Sequence, residues 1–310
     1  LRYARFMIGR AGKWGGPYAR PMHLSRKNRK YAVNCGMSYG EWAEPNDVMA
    51  FQWYDFAMPH PEESTAYTYF TLKRVLEVAE ILGKTQDKRL ARIEEYSEGA
   101  KRAYQELVTK KQYTLDTDRQ AKLVRPLYMG LLTKEQEEFA KKRLIKALDR
   151  YGWRLGTGFL STPLVLNVIA KLDIEYAYRL LENEEMPGWL FIPKNGATII
   201  WESWEGHMTK DKGIASLNHY SKGAVCEWLI GGMCGIKVAG ENAFLIAPQP
   251  GGTLKNARAE YQSIYGKVAC GWKKTEKGYV YSVSVPSNTT AEFILPSGEK
   301  KMLSAGEYSF

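Results

Sequence analysis

The sequence predicts a chain that is mainly α-helical at first and mainly β afterwards. From Ser64 onward, apolar residues recur at helical spacing in successive segments that short turns connect. After Gly240 the apolar residues recur at every second position, which is typical of strands with one buried face. Successive amphipathic helices joined by short turns pack as antiparallel neighbours. We therefore expect an array of helical hairpins over residues 1–237 and a small antiparallel β-sandwich over residues 238–310.

The helices are located by their apolar stripes and by signals at their ends. Gly83 is placed as a C-terminal cap, and Pro126 is expected to bend its helix. Thr133 and Gln136 have the capping-box spacing of a helix start. The predicted helices are Leu1–Ile8, Ser64–Leu82, Leu90–Lys110, Asp118–Leu132, Thr133–Tyr151, Pro163–Leu172, Asp173–Glu184 and His219–Ile236.

The strands are located by alternation between turn signals. Tyr279–Val285 alternates strictly, and Thr275–Gly278 supplies a hairpin turn from the preceding strand, Val268–Lys274. Ala291–Leu295 and Lys301–Leu303 continue the pattern on either side of a second turn.

Composition restricts the classes of protein that fit. The chain has 310 residues, of which 45% are hydrophobic, so it is long and apolar enough for two globular domains. The formal net charge of +10 fits a solvated surface, an anionic polysaccharide substrate or a nucleic acid. Because lysine and arginine are mixed with glutamate along the helical stretches, we predict no nucleic-acid partner. No apolar run reaches about eighteen residues, so no membrane partner is predicted either.

No metal or other cofactor is predicted. The cysteines lack a C-x-x-C pair and are interpreted as buried thiols, and the histidines are scattered without metal-ligand spacing. The glycine-containing stretch Leu155–Thr162 lacks the G-K-[ST] ending of a phosphate loop and is interpreted as a pocket-lining turn. The cysteines are Cys35, Cys226, Cys234 and Cys270, and the histidines are His23, His60, His207 and His219.

The segment Gly196–Gly206 carries the strongest chemical signal. It contains Glu202 and Glu205 together with Trp201 and Trp204, so acids and large rings alternate where a helix face would separate them. A sugar ring stacks its C–H face on an indole, and hydrolysis of a glycosidic bond needs carboxyl groups as acid and base. We predict Glu202 as a catalytic carboxylate, with Glu205 as the competitor and an ordinary surface glutamate as the third interpretation.

Long irregular connections supply further candidates, because such loops are often functional. His219 follows the acidic segment after a short loop and is expected either to bond a sugar hydroxyl or to serve as a structural cap. Some tryptophans of the irregular stretches are expected to be stacking platforms, although core packing is the common alternative. They are Trp42, Trp53, Trp189, Trp201 and Trp204.

An ordered set of segments resembles the bacterial α-L-rhamnosidases of glycoside hydrolase family 78. Gly40–Trp42 is similar to that family's Gly-Asp-Trp element, with Glu41 in place of the aspartate. The other matching segments are Gly156–Pro163, Ala177–Leu181, Gly188–Leu190, Gly196–Trp204, Ser216–Tyr220 and Gly223–Leu229.

The resemblance implies a partial (α/α)6 toroid of helical hairpins with a C-terminal antiparallel β-sandwich, and hydrolysis of terminal α-L-rhamnosides with inversion. It assigns Glu202 as general base and His219 as a sugar contact. The further substrate-binding candidates are Glu41, Trp42, Trp201 and Trp204. The family's general acid lies in an acidic motif, and no Asp-x-x-Arg-x-Glu pattern occurs here, so the acid is expected outside these 310 residues.

Some properties stay open at this point. A carbohydrate-binding protein without catalysis has the same motifs and is the alternative to a glycosidase. The partner is expected to be a carbohydrate, a rhamnoside, and a homo-oligomer is as compatible with the sequence as a monomer. No signal-peptide pattern begins the sequence, and we expect a bacterial cytoplasmic or periplasmic location.

Overall fold

Helices precede strands along the chain, as predicted. The computed structural model describes residues 1–13, 15–16, 19–50, 52, 57–208 and 215–310. It divides into two compact units. Unit 1 comprises Leu1–Val165 with Ser203–Glu205, and unit 2 comprises Leu166–Glu202 with Gly206–Phe310.

The helices agree with the predicted series in order, with shifted ends. The last predicted helix, His219–Ile236, is the exception. In the described part of the chain the helices are α1 Arg2–Arg10, α2 Arg26–Arg29, α3 Pro61–Ile81, α4 Arg89–Leu107, α5 Gln120–Met129, α6 Lys134–Arg150, α7 Thr162–Ile169, α8 Ile174–Leu181, α9 Phe191–Lys194 and α10 Val225–Trp228.

Unit 1 is built on two helical hairpins, α3 with α4 and α5 with α6. Helix α1 packs on the first hairpin through Ala4 and Ile8, which meet Leu72 of α3 and Ile93 of α4 in one buried cluster. A second buried cluster joins the residues before α3 to the far end of α4. Burial of these apolar side chains, at about 25 cal/mol per Å², fixes the helices against each other.

The start of α6 confirms the capping box. The Thr133 hydroxyl accepts the Gln136 backbone N–H at 3.2 Å, and the Gln136 side chain accepts the Thr133 N–H at 3.1 Å. Two donors that the first turn of a helix leaves unpaired are thereby satisfied. Pro126 lies inside α5, and the bend that we expect there stays a prediction.

The prediction of one helix over His219–Ile236 is wrong, because this stretch contains three different kinds of helical turn before a strand begins. A 3₁₀ turn over Ser221–Ala224 leads into α10, and a π-helical turn over Leu229–Met233 follows. Ile236 then begins the first strand. The π turn contains two adjacent glycines, which weaken a regular helix by about 1 kcal/mol each relative to alanine.

The C-terminal strands form two four-stranded sheets. One has the order β1-β2-β6-β7 and the other β3-β4-β5-β8. The strands are β1 Ile236–Val238, β2 Ala243–Ile246, β3 Asn256–Ser263, β4 Gly266–Thr275, β5 Gly278–Val285, β6 Thr290–Ile294, β7 Lys300–Leu303 and β8 Gly306–Ser309.

The two sheets share an aromatic core. Phe293 of β6 stacks on Phe310 with ring centroids 4.7 Å apart and meets the ring of Tyr281 of β5 edge-on at 6.0 Å. The predicted hairpin at Thr275–Gly278 joins β4 to β5. One pair, β2 with β6, is parallel, because the chain passes through the other sheet between them and returns in the same direction. The domain boundary at residues 237 and 238 stays a prediction.

Helix α8 is joined to the loop that leads into β3, and both belong to unit 2. The Tyr178 hydroxyl donates to the Gln249 carbonyl at 2.6 Å. The backbone N–H groups of Gly252 and Thr253 donate to the carboxylates of Glu175 and Glu182. These contacts thus tie α8 and its C-terminal end to three residues of this loop.

Two further expectations concern cysteines and membranes. All four cysteines are free. Cys234 and Cys270 are buried as expected, but Cys35 is only half-buried and Cys226 is exposed, which corrects the interpretation of these two as buried thiols. Among the described residues, no group of three His, Cys, Asp or Glu side chains is placed to hold a metal ion. None of the described helices combines the length and the apolar character that crossing a bilayer requires.

Replacing Thr133 with alanine is expected to lower the free energy of unfolding by about 1 kcal/mol, because the hydroxyl that accepts the Gln136 N–H is lost. Thr133→Ser keeps the hydroxyl and is the matched control. Urea denaturation followed by circular dichroism measures both variants. Equal stability of the two would contradict a role for the cap.

Candidate active site

Glu202 is held by the segment that leads to His219. Its backbone N–H donates to the Ser216 carbonyl at 2.9 Å, and its Oε2 accepts the Ser216 N–H at 2.8 Å. The side chain is half-buried, so the carboxylate is oriented by the protein and is still accessible to water. A carboxylate in this setting can take a proton from a bound water molecule.

His219 lies beside the same short segment. Its backbone N–H donates to the Ile200 carbonyl at 2.8 Å, so residues 200–202 and 216–219 run next to each other. The imidazole Nδ1 accepts the Ser221 N–H at 3.4 Å. The ring stacks on Tyr220, whose side chain is 86% exposed. The structure thus brings together the predicted base and the predicted histidine.

Trp201 does not have the exposed face that we expected of a stacking platform. Its side chain is only 3% exposed and meets the rings of Phe191 and His207 edge-on. Gly206 lies against the indole, where a Cβ would overlap the ring, and its φ of +54° also favours glycine. The Trp201 indole is thus packed within unit 2, and its role as a sugar platform stays a prediction.

Trp204 is fully buried, with no exposed side-chain surface. Its indole N–H donates to the Thr157 carbonyl at 2.7 Å, which ties residues 203–205 to the loop before α7 within unit 1. The structure gives this indole a packing role, and its role as a sugar platform stays a prediction. Glu205, the competitor for the catalytic role, accepts the backbone N–H of Asn46 at 3.1 Å.

Glu41, a predicted substrate-binding residue, is a buried structural carboxylate. Its Oε1 accepts the backbone N–H groups of Gly158 at 3.1 Å and Ser161 at 2.7 Å. Its Oε2 accepts the Ser161 hydroxyl at 2.8 Å and Arg125 Nη2 at 2.6 Å. These four donors occupy the acceptor sites that a carboxylate offers. A structural role accounts for this carboxylate, and the sugar contact of Glu41 stays a prediction.

Arg125 is the centre of this network and is completely buried on α5. Its guanidinium also lies 3.3 Å from Glu62 and 3.7 Å from Glu63, in the first turn of α3. Burial raises the pKa of Glu62, whereas at Glu63 the effect of burial is exceeded by Arg125, Arg119 and His60 together, which lower the pKa of that carboxyl. The carboxylates in turn raise the pKa of Arg125 despite its burial.

Trp42 keeps the features of a platform. The side chain is half-buried and meets the exposed ring of Tyr39 edge-on at 5.2 Å. Its backbone carbonyl accepts the Phe159 N–H at 2.8 Å, and Gly158 lies so close that a Cβ there would clash with the same carbonyl. The loop before α7 thereby fixes the position of Trp42. The other candidate of this region, Trp53, lies outside the described residues.

Comparison with known proteins gives the family. A sequence model of the bacterial alpha-L-rhamnosidase 6 hairpin glycosidase domain matches residues 20–233. The chain belongs to this family. A second model, of the bacterial alpha-L-rhamnosidase C-terminal domain, matches residues 238–309.

The chain is similar to longer α-L-rhamnosidases. It is 32% identical over 277 residues to one from Formosa agariphila, a match that covers 83% of the chain and 30% of that relative. It is 31% identical over 268 residues to one from Streptomyces avermitilis, covering 84% of the chain and 25% of the relative. The chain therefore spans well under half of the length of these relatives.

Solved structures of α-L-rhamnosidases have the same fold. The S. avermitilis enzyme, crystallised with L-rhamnose, superposes with a TM-score of 0.78 at 26% identity, over 99% of this chain and 29% of that one. The Aspergillus terreus enzyme superposes with a TM-score of 0.77 at 24% identity, over 88% of this chain and 32% of the A. terreus chain. These likenesses confirm the predicted fold class, six-hairpin helices followed by a C-terminal β domain.

One polar pair in this rhamnosidase-family chain was not predicted from the sequence. The Tyr151 hydroxyl donates to Asp47 Oδ1 at 2.6 Å, although the two residues are 104 positions apart. Burial and this hydrogen bond raise the pKa of Tyr151. The tyrosine ends an apolar helix stripe, and the aspartate lies in an irregular loop. Because no local sequence pattern links the two residues, only the fold shows that they meet.

Replacing Glu41 with glutamine is expected to lower the free energy of unfolding by roughly 3–5 kcal/mol, because Arg125 loses a buried counter-charge. The matched control is Glu94→Gln on the exposed side of α4, expected to change stability by less than about 0.5 kcal/mol. Thermal and urea denaturation measure both. A near-neutral Glu41→Gln variant would show that the network does not stabilise the fold.

Proposed function

We propose that this chain is the part of an α-L-rhamnosidase that carries the general base, and that the whole protein removes terminal α-L-rhamnose from glycosides or polysaccharides with inversion. Membership of the rhamnosidase family supports this proposal. The structural observation that carries it is the pairing of residues 200–202 with 216–219, which holds Glu202 and His219 in one short stretch of unit 2.

Glu202 is proposed to deprotonate the attacking water. In an inverting glycosidase the base and the acid lie roughly 6.5–9.5 Å apart, which leaves room for that water on the face of the sugar opposite the leaving group. The Ser216 N–H holds one carboxylate oxygen of Glu202, so the orientation of the base is set before the substrate arrives. Preorganisation of this kind lowers the barrier because no reorientation is needed during the reaction.

Within unit 2, His219 is proposed to contact the sugar. An imidazole can form a hydrogen bond with a sugar hydroxyl. The interpretation of Trp42, half-buried in unit 1, as a stacking platform stays a separate prediction. The sugar contacts of Trp201, Trp204 and Glu41 stay predictions, and the three side chains are buried.

The general acid is proposed to lie outside these 310 residues, since no Asp-x-x-Arg-x-Glu pattern occurs in the sequence. The relatives are between three and four times as long as the stretch that matches them, which leaves room for such a motif. The proposed activity therefore belongs to the whole protein.

Replacing Glu202 with glutamine in the whole protein is expected to lower kcat by about 100- to 10,000-fold with little change in KM. The amide oxygen can still accept the Ser216 N–H, so the local structure is kept, but the side chain cannot take a proton from water. Release of nitrophenol from 4-nitrophenyl α-L-rhamnoside measures the rate.

Glu205→Gln is the matched control, because it makes the same change three positions along and can keep its bond to the Asn46 N–H. We expect this variant to retain most of its activity. A larger loss of kcat in Glu205→Gln than in Glu202→Gln would show that Glu205 is the general base. Binding of rhamnose without any hydrolysis by the wild-type protein would favour the carbohydrate-binding alternative.

A further inference from the structure

Tyr220 is an exposed aromatic residue that the proposed function does not use. Its side chain is 86% exposed, which is the highest value among the exposed aromatic side chains in the described part of the chain. A single exposed ring is common on protein surfaces, so exposure by itself assigns no role. The position of this ring beside a proposed site residue is the observation that matters.

The Tyr220 ring is held against His219 within unit 2. The two rings stack with centroids 5.1 Å apart and planes 14° apart. The backbone is fixed on both sides of the stack, because the Ser221 N–H donates to His219 Nδ1 and the Tyr220 carbonyl accepts the Gly223 N–H at 2.9 Å. Tyr220 therefore has a defined place at the start of the 3₁₀ turn that follows it.

This turn lies against the segment that carries the proposed base. The Ile200 carbonyl accepts the His219 N–H at 2.8 Å, and Ile200 Cγ1 lies 3.8 Å from the position that a Cβ on Gly223 would take. Two residues after Ile200 comes Glu202, whose carboxylate accepts the Ser216 N–H. Tyr220, His219 and Glu202 thus belong to one local arrangement, all of it in unit 2.

One face of the Tyr220 ring is open. The nearly parallel imidazole of His219 covers the other face, and the high exposure shows that the remaining surface of the ring meets solvent. An aromatic face attracts flat apolar groups, such as the C–H side of a sugar ring or another aromatic ring. The open face therefore suits a ring of a ligand.

The open face is too far from His219 to hold the same sugar. Stacked rings have centroids roughly 4.5–7 Å apart, so a ring on the open face lies on the order of 10 Å from the imidazole centroid, on the opposite side of Tyr220. A hydrogen bond to a sugar hydroxyl spans only about 3 Å. The sugar that His219 contacts and the ring that Tyr220 binds are therefore different parts of one ligand.

We propose that Tyr220 is a specificity-determining residue that stacks on the aglycone, the group that leaves when the terminal rhamnose is released. The protein then favours rhamnosides whose aglycone is a ring, either a sugar or an aromatic group, over rhamnosides of small alcohols. This inference rests on the proposed function, because it takes His219 as the contact of the terminal rhamnose.

The test compares three substrates of the whole protein: 4-nitrophenyl α-L-rhamnoside, a disaccharide of α-L-rhamnose linked to glucose, and methyl α-L-rhamnoside. Tyr220→Ala is expected to lower kcat/KM roughly tenfold for the two substrates with a ring in the aglycone, mainly through KM, because the stacking surface is lost. The methyl rhamnoside has no ring to stack and should change less than about twofold. The relative losses on the aryl and glucosyl substrates show which kind of ring fits better.

Two control variants separate stacking from other effects. Tyr220→Phe keeps the ring and should retain the wild-type values on all three substrates. Tyr261→Ala removes another exposed tyrosine of unit 2, on β3, and should also change none of them. Because the Tyr220 side chain is exposed, Tyr220→Ala is expected to fold, and thermal denaturation checks this.

Unchanged kcat/KM for both ring substrates in Tyr220→Ala would overturn the proposal. An equal loss on the methyl rhamnoside would also overturn it, since Tyr220 would then only position His219. Failure of the wild-type protein to hydrolyse any of the three rhamnosides would count against the proposed function instead. In that case calorimetric titration with the aryl and methyl rhamnosides tests Tyr220 by itself: weaker binding of the aryl compound alone by Tyr220→Ala supports the stacking role, and equal binding overturns it.

Discussion

Unit 1 depends on one buried guanidinium, that of Arg125. It pairs with Glu41 from the loop before α3 and with Glu62 and Glu63 from the first turn of α3. Removing charges from water costs several kcal/mol for each ion, and only close pairing recovers that cost. These ion pairs therefore form only if α3, α5 and the loop before α3 are in place together. Since Glu41 also accepts two backbone N–H groups of the loop before α7, Arg125 indirectly positions Trp42.

The sequence predicted the elements whose signal is local. Apolar periodicity located α3 to α6, the Thr133 capping box marked a helix start, and alternation located β4 and β5 with their hairpin. Features that depend on residues far apart in the sequence were not predicted, or were predicted wrongly. The π turn at Leu229–Met233 interrupts a stretch whose apolar pattern resembles a helix, and the parallel pairing of β2 with β6 depends on the path of the chain through the other sheet.

The difference between local and long-range signals also applies to the candidate site residues. Glu202 and His219 were predicted together because their motifs lie within one short stretch of sequence, and the structure pairs the backbone segments that carry them. Trp201 and Trp204 were interpreted as platforms because tryptophans beside acids are typical of sugar sites. The structure shows them buried, where an indole next to a catalytic segment holds that segment in place. Glu41 was predicted to bind the sugar because nothing in the nearby sequence shows that it pairs with Arg125, which is 84 positions away.

The contacts between α8 and the loop before β3 bear on how this family can vary. Carboxylates of α8 accept backbone N–H groups at Gly252 and Thr253, and Tyr178 completes the attachment. A relative that lost or exchanged its C-terminal β domain would leave two acids and a hydroxyl on α8 without these partners, beside a partly apolar face. Exchange of this domain between proteins therefore requires compensating changes on α8, so the two parts are expected to be inherited together.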